Sequence, residues 1–314
     1  MPARSRITRL WPWRLAAATA VGFALVGSVC AQDDLLKRGE YIYRLAGCEN
    51  CHTDRDNEGA RLAGGRALVT PLGTFYAPNI TPDPTHGIGR WSDADFVRAL
   101  RAGVSPAGAH YYPAFPYAAY TLLHDNDLRA LKTYLFAQLP VARPNQPHVL
   151  PWYLRFRPAL IGWKWLFFRE GPYTSDPGKS ADWNRGAYLA RAVAHCNECH
   201  TPRNVLGAPR RALYLAGTTE GPDDGVVPNI TPDRKTGIGR WSRSDLVQYL
   251  DTGMTPDGDF AGGLMAELID HGLKYLTAAD REALATYVRS VPAVEHAVRK
   301  KKKKDGKKKD DFGF

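Results

Sequence analysis

Sulfur-containing residues are scarce in this sequence, which has five cysteines and three methionines among 314 residues. Cys30 lies in an apolar N-terminal segment. The other four cysteines form two copies of one motif, Cys-x-x-Cys-His, at residues 48–52 and 196–200. Because these motifs use every cysteine outside that segment, no structural disulfide is predicted. Apart from the first residue, both methionines lie in the second half of the chain.

The Cys-x-x-Cys-His motif is typical of a c-type haem attachment site. Two thiols one helical turn apart can each add to a vinyl group of one haem, and the adjacent imidazole can then ligate the iron. A thiol redox motif would need a βαβ context that is not found here, and a zinc site would have to combine motifs from separate repeat units. We therefore predict two covalently bound haem c groups, attached and ligated by Cys48, Cys51, His52, Cys196, Cys199 and His200.

Most of the chain lacks excess charge, although the formal net charge is +10. Four arginines within the first 14 residues contribute +4, and the tail from Arg299 contributes +6, so residues 32–298 are electrically balanced. A nucleic-acid-binding face would require a basic patch on the folded part of the chain. No nucleic-acid partner is therefore predicted.

Residues 1–31 have the features of a secretory signal peptide. An arginine-rich start precedes the apolar run 15–26, and the ending Val29-Cys30-Ala31 predicts cleavage after Ala31. An uncleaved anchor is the alternative, whereas lipid attachment at Cys30 is disfavoured because Val29 is bulky where a lipidation signal has a small residue. Export predicts a periplasmic location, which agrees with covalent haem attachment outside the bacterial cytoplasm.

The chain contains an internal repeat of two units. Residues 77–83 and 87–92 recur as 227–233 and 237–242 with an offset of 150, and the two haem motifs are offset by 148. Each unit is predicted to contain a helix, the haem motif, a loop rich in glycine and proline, a short helix, a ligand loop and a final helix. In the first helix of the units, Gly39 and Gly186 are expected to admit close helix crossings.

No stretch shows sustained strand alternation bounded by hairpin turns, so the predicted fold is all-α. We expect two tandem cytochrome c-like domains, at residues 32–141 and 183–293, joined by an aromatic-rich linker at 142–182. The loops that contain Asn-Ile-Thr-Pro-Asp are interpreted as turns, because proline fixes φ and the polar side chains satisfy the local backbone.

Met265 is the predicted sixth ligand of the second haem, because it lies in the loop before the final helix. A thioether ligand favours ferrous iron and raises the reduction potential. Met254 lies closer to a helix end and is the second choice, and a methionine that only fills the core is the alternative reading.

The first unit needs a different sixth ligand, because the offset of 150 pairs Phe115 with Met265. His110 lies five residues upstream in the same loop and is the predicted ligand. The alternatives are an open or water-bound iron, or a propionate contact for His110. His124 is expected at a helix start, as a cap or surface residue, and His86 and His148 are weaker candidates.

Two further segments bear on partners. Residues 150–168 interleave aromatic residues with cations, and their charges and prolines argue against a membrane span. This pattern suits an interfacial or partner-docking segment, or else a linker packed against both haem domains. Residues 294–314 are predicted to be a disordered basic tail. The tail would contact anionic lipid or an acidic partner, or would simply be solvated.

The motifs together resemble the membrane-associated cytochrome c subunits of bacterial periplasmic alcohol, aldehyde and gluconate dehydrogenases. The resemblance covers residues 34–293 and rests on the run 108–117, the paired Pro-Asn-Ile-Thr-Pro-Asp loops and residues 184–186 before the second motif. It implies transfer of electrons from a flavin, quinone-cofactor or molybdenum dehydrogenase to ubiquinone or an oxidase. Many members of that family have three haem motifs and a methionine where Phe115 stands, so this chain departs from the pattern at two points.

The sequence therefore predicts a dihaem electron carrier. Its donor would be a periplasmic dehydrogenase and its acceptor a quinone or a terminal oxidase, with possible contact to a membrane surface. No substrate pocket, acid–base pair or nucleophile can be identified, so an electron-transfer subunit is favoured over an independent catalyst. An open first haem leaves a peroxidase-like or other small-molecule enzyme as the alternative. A haem-based sensor is the third hypothesis, but no output domain is visible.

Overall fold

The computed structural model describes residues 32–222 and 225–299, so the predicted signal peptide and the tail from residue 300 lie outside the described residues. The described part is mainly helical. Its α-helices are α1 (32–45), α2 (Cys48–His52), α3 (Asp93–Ala102), α4 (Tyr117–Tyr120), α5 (Asp125–Phe136), α6 (Ala159–Phe167), α7 (Ala181–Tyr188), α8 (Asn197–His200), α9 (Arg243–Thr252), α10 (Gly263–His271) and α11 (Ala278–Ser290). A π-helical turn at Leu189–Val193 extends α7, and short 3₁₀ turns occur at Arg55–Asn57, Trp152–Arg155, Arg211–Leu213 and Leu273–Tyr275. None of the described helices is long and apolar enough to cross a bilayer.

The described residues are mainly helical, as predicted, but they include one β-hairpin that the sequence did not predict. Strands β1 (Ala67–Thr70) and β2 (Gly73–Tyr76) pair antiparallel, and residue 149 of the linker bonds to Thr74 through both of its backbone groups. Each strand has only four residues, which is too short for a visible period-2 pattern. The hairpin is held mainly by tertiary contacts, because the ring of Phe75 packs with Tyr112 and Leu150 in a small separate cluster.

Equivalent helices of the two units begin in the same way. The Ser92 hydroxyl accepts a hydrogen bond from the Asp95 backbone N–H, and the Asp95 carboxylate accepts one from the Ser92 N–H. Ser242 and Asp245 repeat this capping box at the start of α9. The repeated sequence Gly-Ile-Gly-Arg-Trp-Ser thus sets the start of α3 and of α9 by satisfying N–H groups that have no partner within the helix.

The predicted close helix crossings are confirmed. A Cβ atom on Gly39 of α1 would lie 2.0 Å from the Ala130 carbonyl oxygen of α5. A Cβ atom on Gly186 of α7 would likewise lie 2.0 Å from the Ala283 carbonyl oxygen of α11. Real Cβ atoms do not come this close to backbone, so both crossings require glycine.

A bidentate ion pair accompanies each crossing. The Arg38 guanidinium binds both carboxylate oxygens of Asp127, at 2.7 and 2.9 Å. Arg185 binds Asp280 in the same way, at 2.7 and 2.6 Å. Planar fork-to-carboxylate geometry makes these the stronger type of charged hydrogen bond. The first and last helices of each unit are therefore joined by the same polar contact.

Two tyrosines cross between the units and complete both clusters. The Tyr188 hydroxyl of the second unit donates to Asp127 of the first, at 2.5 Å. The Tyr41 hydroxyl of the first unit donates to Asp280 of the second, at 2.6 Å. Equivalent side chains thus make reciprocal contacts, as they do in an isologous dimer interface.

The two sequence units share one hydrophobic core. A continuous cluster of buried side chains includes Tyr43 and Leu123 from the first unit and Tyr188 and Leu284 from the second. Residues 294–296, at the start of the predicted tail, also join the fold. There Val294 bonds to the side chains of Asn229 and Thr231, among others. The units are therefore held together by direct packing as well as by the chain that connects them.

The aromatic segment between the units contacts both of them. The Lys164 ammonium on α6 donates to the carbonyl oxygens of residues 102 and 103. The Trp163 indole donates to the Leu206 carbonyl at 2.9 Å, just after the second haem motif. Other aromatic side chains of this segment face outward, with Trp152 81% exposed and Trp165 77% exposed.

Candidate haem-attachment sites

Each Cys-x-x-Cys-His motif lies on a short helical turn. In the first motif, α2 starts directly after Gly47, whose φ of 60° turns the chain out of α1. In the second, α8 follows the π-helical turn that ends α7. Residues three apart in a helix share a face, so both thiols of a motif are presented on one side. No disulfide joins the four cysteines of the described ranges.

The motif histidines have the hydrogen bond that prepares an imidazole for a metal. His52 Nδ1 lies 2.7 Å from the Pro78 carbonyl oxygen, and His200 Nδ1 lies 2.9 Å from that of Pro228. A carbonyl oxygen can only accept, so each Nδ1 carries the proton and each Nε2 keeps a free lone pair. Burial lowers the pKa of both rings, which keeps them neutral at pH 7.

These two carbonyls come from the repeated Pro-Asn-Ile-Thr-Pro-Asp loops, where the next residue locks the turn. The Asn79 side-chain oxygen accepts from the Thr81 N–H at 2.9 Å and from the Thr81 hydroxyl at 2.7 Å. Asn229 and Thr231 repeat this contact. The sequence identified the turn chemistry of these loops but not their role in orienting the motif histidines.

A loop segment of backbone lies against each motif at a glycine, Gly64 or Gly217. The Gly64 N–H donates to the His52 carbonyl at 2.8 Å, and the Gly217 N–H donates to that of His200 at 2.7 Å. A Cβ atom on Gly64 would lie 2.6 Å from the backbone nitrogen of Asn79, and one on Gly217 would lie 2.6 Å from that of Asn229. Both glycines also have φ above 70°. Glycine is therefore required where this segment passes between the motif and the Pro-Asn-Ile-Thr-Pro-Asp loop.

Two buried polar atoms near the motifs have no hydrogen-bond partner within residues 32–222 and 225–299. They are Nδ2 of Asn50, inside the first motif, and the hydroxyl of Tyr117 on α4. A buried donor without an acceptor is costly, and the propionate groups of a haem supply acceptors. The paired thiols, the free Nε2 atoms and these two donors all fit covalently bound haem c.

Burial also controls the thiols. It is the largest cause of the raised pKa of Cys48, at about 12, and of Cys196, at about 11, so both are protonated at pH 7. Burial likewise raises the pKa of Cys199 to about 12, with contributions from Glu198 and from Cys51 of the other motif. Cys51 of the first motif and Cys199 of the second are therefore close enough to interact electrostatically.

Met265 occupies the third position of α10, so the prediction that it lies in a loop is wrong, although α10 does precede the final helix. It is half-buried and packs against the shared core. The same helix reaches the first unit, because the Glu267 carboxylate binds Arg66 at 2.8 Å. Met254 lies just beyond α9 and forms an isolated backbone bridge with Phe260. Ligation of the second haem by Met265 stays a prediction.

The position equivalent to Met265 is filled by a phenyl ring among other aromatic rings. Phe115 lies 5.5 Å from the Tyr111 ring and 5.6 Å from the Tyr120 ring, measured between centroids. These contacts make this part of the first unit apolar, and Phe115 itself offers no ligand atom.

His110 has the opposite ring arrangement from the motif histidines. Its Nδ1 lies 2.9 Å from the Lys164 ammonium, which also donates to two backbone carbonyls and so has a partner for each of its three protons. The imidazole therefore accepts at Nδ1 and carries its own proton on Nε2. Burial lowers the pKa of His110, and the positive charge of Lys164 lowers it further. Iron ligation by His110 stays a prediction and would require the Lys164 contact to break.

Two other candidate histidines, His124 in the first unit and His148 in the linker, have other contacts. His124 is the residue before α5, as expected for a cap position, although its side chain makes no cap bond and stacks on Tyr188 at 4.3 Å between centroids. His148 Nδ1 accepts the Tyr76 backbone N–H at 3.2 Å.

No family model matches the chain. It is 46% identical over 260 residues to the fructose dehydrogenase cytochrome subunit of Gluconobacter japonicus, across 82% of this chain and 53% of that protein. It is 44% identical over 262 residues to a dihaem c-type cytochrome of Cereibacter sphaeroides, across 82% of this chain and 86% of that protein. It is 38% identical over 283 residues to the gluconate 2-dehydrogenase cytochrome c subunit of Pantoea cypripedii, across 87% of this chain and 63% of that protein.

The chain thus spans about half the length of the fructose dehydrogenase relative and most of the dihaem relative. The site residues of both motifs fit covalently bound haem c on geometric grounds. The protein belongs to the family of c-type cytochromes that includes this dihaem cytochrome and the cytochrome subunits of sugar and alcohol dehydrogenases.

Proposed function

We propose that this protein is a dihaem cytochrome c that passes single electrons from a periplasmic dehydrogenase to the respiratory chain. The proposal rests mainly on the duplicated motif, in which His52 and His200 each donate Nδ1–H to a loop carbonyl and keep Nε2 free. Haem c, when bound, supplies the one-electron chemistry. The names of the relatives support a dehydrogenase as the donor, and a quinone or terminal oxidase is proposed as the acceptor.

The protein's part is to hold and differentiate two haems. Cys48 and Cys51 would form the thioethers of the first haem, and Cys196 and Cys199 those of the second. A thioether sulfur from Met265 would favour ferrous iron, so the second haem is proposed to have the higher potential. The first haem, which faces an aromatic environment without methionine, would then receive electrons at lower potential or have a separate role.

Mass spectrometry and redox titration test this proposal. The mature holoprotein should carry two haems, and a variant with Cys48→Ala and Cys51→Ala should lose one. Spectroelectrochemical titration of the wild type should resolve two one-electron waves, of which the wave of higher potential remains in that variant. A protein with no covalent haem, or one whose haems do not accept electrons from any reductant, would refute the proposed function.

A second candidate function is an enzyme that uses an open first haem, with peroxidase-like or other small-molecule chemistry. The observation that favours it is the Lys164 contact on His110 Nδ1, together with Phe115 at the position of Met265. Ferric-state spectroscopy separates the two functions. Two low-spin haems that do not react with cyanide or peroxide support the carrier, and a high-spin haem that reacts with peroxide supports the enzyme.

We also propose that the protein is periplasmic and contacts a membrane surface through the linker. Trp152, Phe156 and Trp165 are exposed there beside the cations Arg155 and Arg169. Tryptophan and arginine together suit the interface of an anionic bilayer. The holoprotein should co-sediment with vesicles that contain phosphatidylglycerol, and a variant with Trp152→Ala and Trp165→Ala should not. Equal sedimentation of both proteins would exclude this segment as the contact.

A further inference from the structure

A polar contact joins the two haem-attachment segments directly. His195, the residue before Cys196, places its Nε2 atom 3.1 Å from the Ala46 carbonyl oxygen, two residues before Cys48. The Tyr120 hydroxyl lies 3.4 Å from the same carbonyl oxygen and 3.3 Å from His195 Nε2. The two rings meet edge-on, with centroids 5.4 Å apart.

The Ala46 carbonyl belongs to the end of α1, where helix carbonyls have no partner within the helix. Because a carbonyl only accepts, His195 Nε2 carries a proton and donates to it, and the tyrosine hydroxyl is a second donor. Tyr120 is the last residue of α4, in the segment that follows the predicted ligand loop of the first unit. Three segments therefore meet at one buried oxygen: both haem-attachment segments and α4.

The backbone at His195 is unfavourable for a residue with a side chain. Its φ is +37°, in the region that favours glycine. The offset of 148 between the motifs pairs His195 with Gly47, which has a φ of +60°. The first unit thus uses glycine for this turn, whereas the second unit keeps a histidine in a strained conformation.

The other non-glycine residues with positive φ have a local or a shared explanation. Leu62 and Leu215 stand at corresponding places in the two units, so their strain belongs to the shared fold. Glu58, with a φ of 52°, ends the 3₁₀ turn Arg55–Asn57, where its backbone N–H donates to the Arg55 carbonyl. The His195 side chain has no counterpart in the first unit, and its polar atom reaches across to Ala46. Strain that persists at a single site is maintained by the surrounding contacts and points to a role for that side chain.

We infer that His195 and Tyr120 are positioning residues that fix the two haem-attachment segments against each other and thereby set electron exchange between the haems. The inference rests on the proposed dihaem function. Neither residue is assigned to the iron or to the thioethers. Their role is to hold the relative position of the two motifs, on which the coupling of two one-electron centres depends.

The test uses the full-length holoprotein and the variants His195→Gly and Tyr120→Phe. His195→Gly adopts the solution of the first unit, so it relieves the strain while it removes the bridge. Tyr120→Phe keeps the ring and removes only the hydroxyl. Tyr173→Phe is the matched control, because it also removes a tyrosine hydroxyl that makes a hydrogen bond, to Asn184, but one that lies outside the bridge. Two quantities are measured: the haem–haem exciton couplet in Soret circular dichroism and the rate of inter-haem exchange after flash reduction.

We expect His195→Gly to keep two haems and a cooperative unfolding transition, with a weaker couplet and a several-fold slower exchange. Tyr120→Phe should change both quantities in the same direction but less, and Tyr173→Phe should match the wild type. If the couplet and the exchange rate of His195→Gly equal those of the wild type, the bridge does not position the haems. That outcome leaves the proposed function intact, whereas a wild-type protein without two reducible haems would refute the proposed function itself.

Discussion

Replacing Tyr188 by phenylalanine should destabilise the protein by removing two bonds across the interface between the units. The Tyr188 hydroxyl donates to the Asp127 carboxylate at 2.5 Å, and both side chains are buried. The same hydroxyl accepts a hydrogen bond from the His124 backbone N–H at 3.2 Å. Hydrogen bonds to charged groups contribute about 1.5–3 kcal/mol. Because Arg38 still binds both oxygens of Asp127 in the variant, the carboxylate stays paired, and this bond should contribute near the lower end of that range. The neutral bond from the His124 N–H adds about 0.5–1.5 kcal/mol, so we expect a total loss of about 2–3 kcal/mol.

Chemical denaturation of the holoprotein measures this loss, and a nearby tyrosine supplies the control. Tyr173 donates to the neutral side-chain oxygen of Asn184 at 3.0 Å. A neutral bond is worth about 0.5–1.5 kcal/mol, so Tyr173→Phe should cost less than Tyr188→Phe. Tyr41→Phe removes the reciprocal bond to Asp280, and because Tyr41 is only half-buried its loss should also be smaller.

The pH dependence separates this charged bond from simple packing. Burial raises the pKa of Asp127, but the bonds from Arg38 and Tyr188 outweigh burial and lower it overall. A carboxylate with a lowered pKa in the folded state adds stability above its unfolded pKa, about 3.9, and this stability is lost as the pH falls through the folded value. The difference between wild type and Tyr188→Phe should therefore be full at pH 7 and shrink below about pH 4. A difference that stays constant down to pH 3 would refute the electrostatic reasoning.

Three further predictions concern the helix crossing and the two distal positions. Gly39→Ala should cost about 3 kcal/mol in denaturation experiments, because its Cβ atom would overlap a backbone carbonyl of α5, whereas Gly162→Ala in open space on α6 should be neutral or slightly stabilising. Met265→Ala should turn the second haem high-spin in the ferric absorption spectrum, and an unchanged spectrum would exclude Met265 as a ligand. His110→Ala should turn the first haem high-spin if His110 ligates it, and Lys164→Ala, by freeing Nδ1, should strengthen that ligation; if the spectrum of His110→Ala is unchanged, His110 is not the ligand.

Local patterns predicted the parts of the structure that depend on nearby residues. The glycines of the first helices allow the predicted crossings, because close approach depends on the residue type at one position. The tandem motifs were equally visible, since their chemistry requires a fixed spacing. The spacing of the motifs indicates where haem attaches. The structure adds the hydrogen bonds from loop carbonyls that orient His52 and His200.

Contacts between residues far apart in the chain were not predictable in the same way. The β1–β2 hairpin is too short to show a period, and it depends on packing against residues 112 and 150. Tyr41 and Tyr188 occupy equivalent positions in the repeat, two residues after Gly39 and Gly186, but nothing in the repeat shows that each bonds to the other unit. The Lys164 contact that sets the tautomer of His110 joins the linker to a loop more than fifty residues earlier, and no local pattern encodes it.

The duplicated frame explains why the differences between the units are informative. Both units keep the same helix crossing, the same loop carbonyl on the motif histidine and reciprocal tyrosine contacts, so these features are what any haem unit of this protein needs. The shared contacts do not explain why Phe115 stands at the position of Met265, or why His195 stands at the position of Gly47. At these positions each unit has a different residue within the same fold. Two identical haems in identical settings would have no internal direction for electron flow. We therefore expect direction to arise at these unequal positions, with potential set at residues 115 and 265 and coupling between the haems set at residue 195.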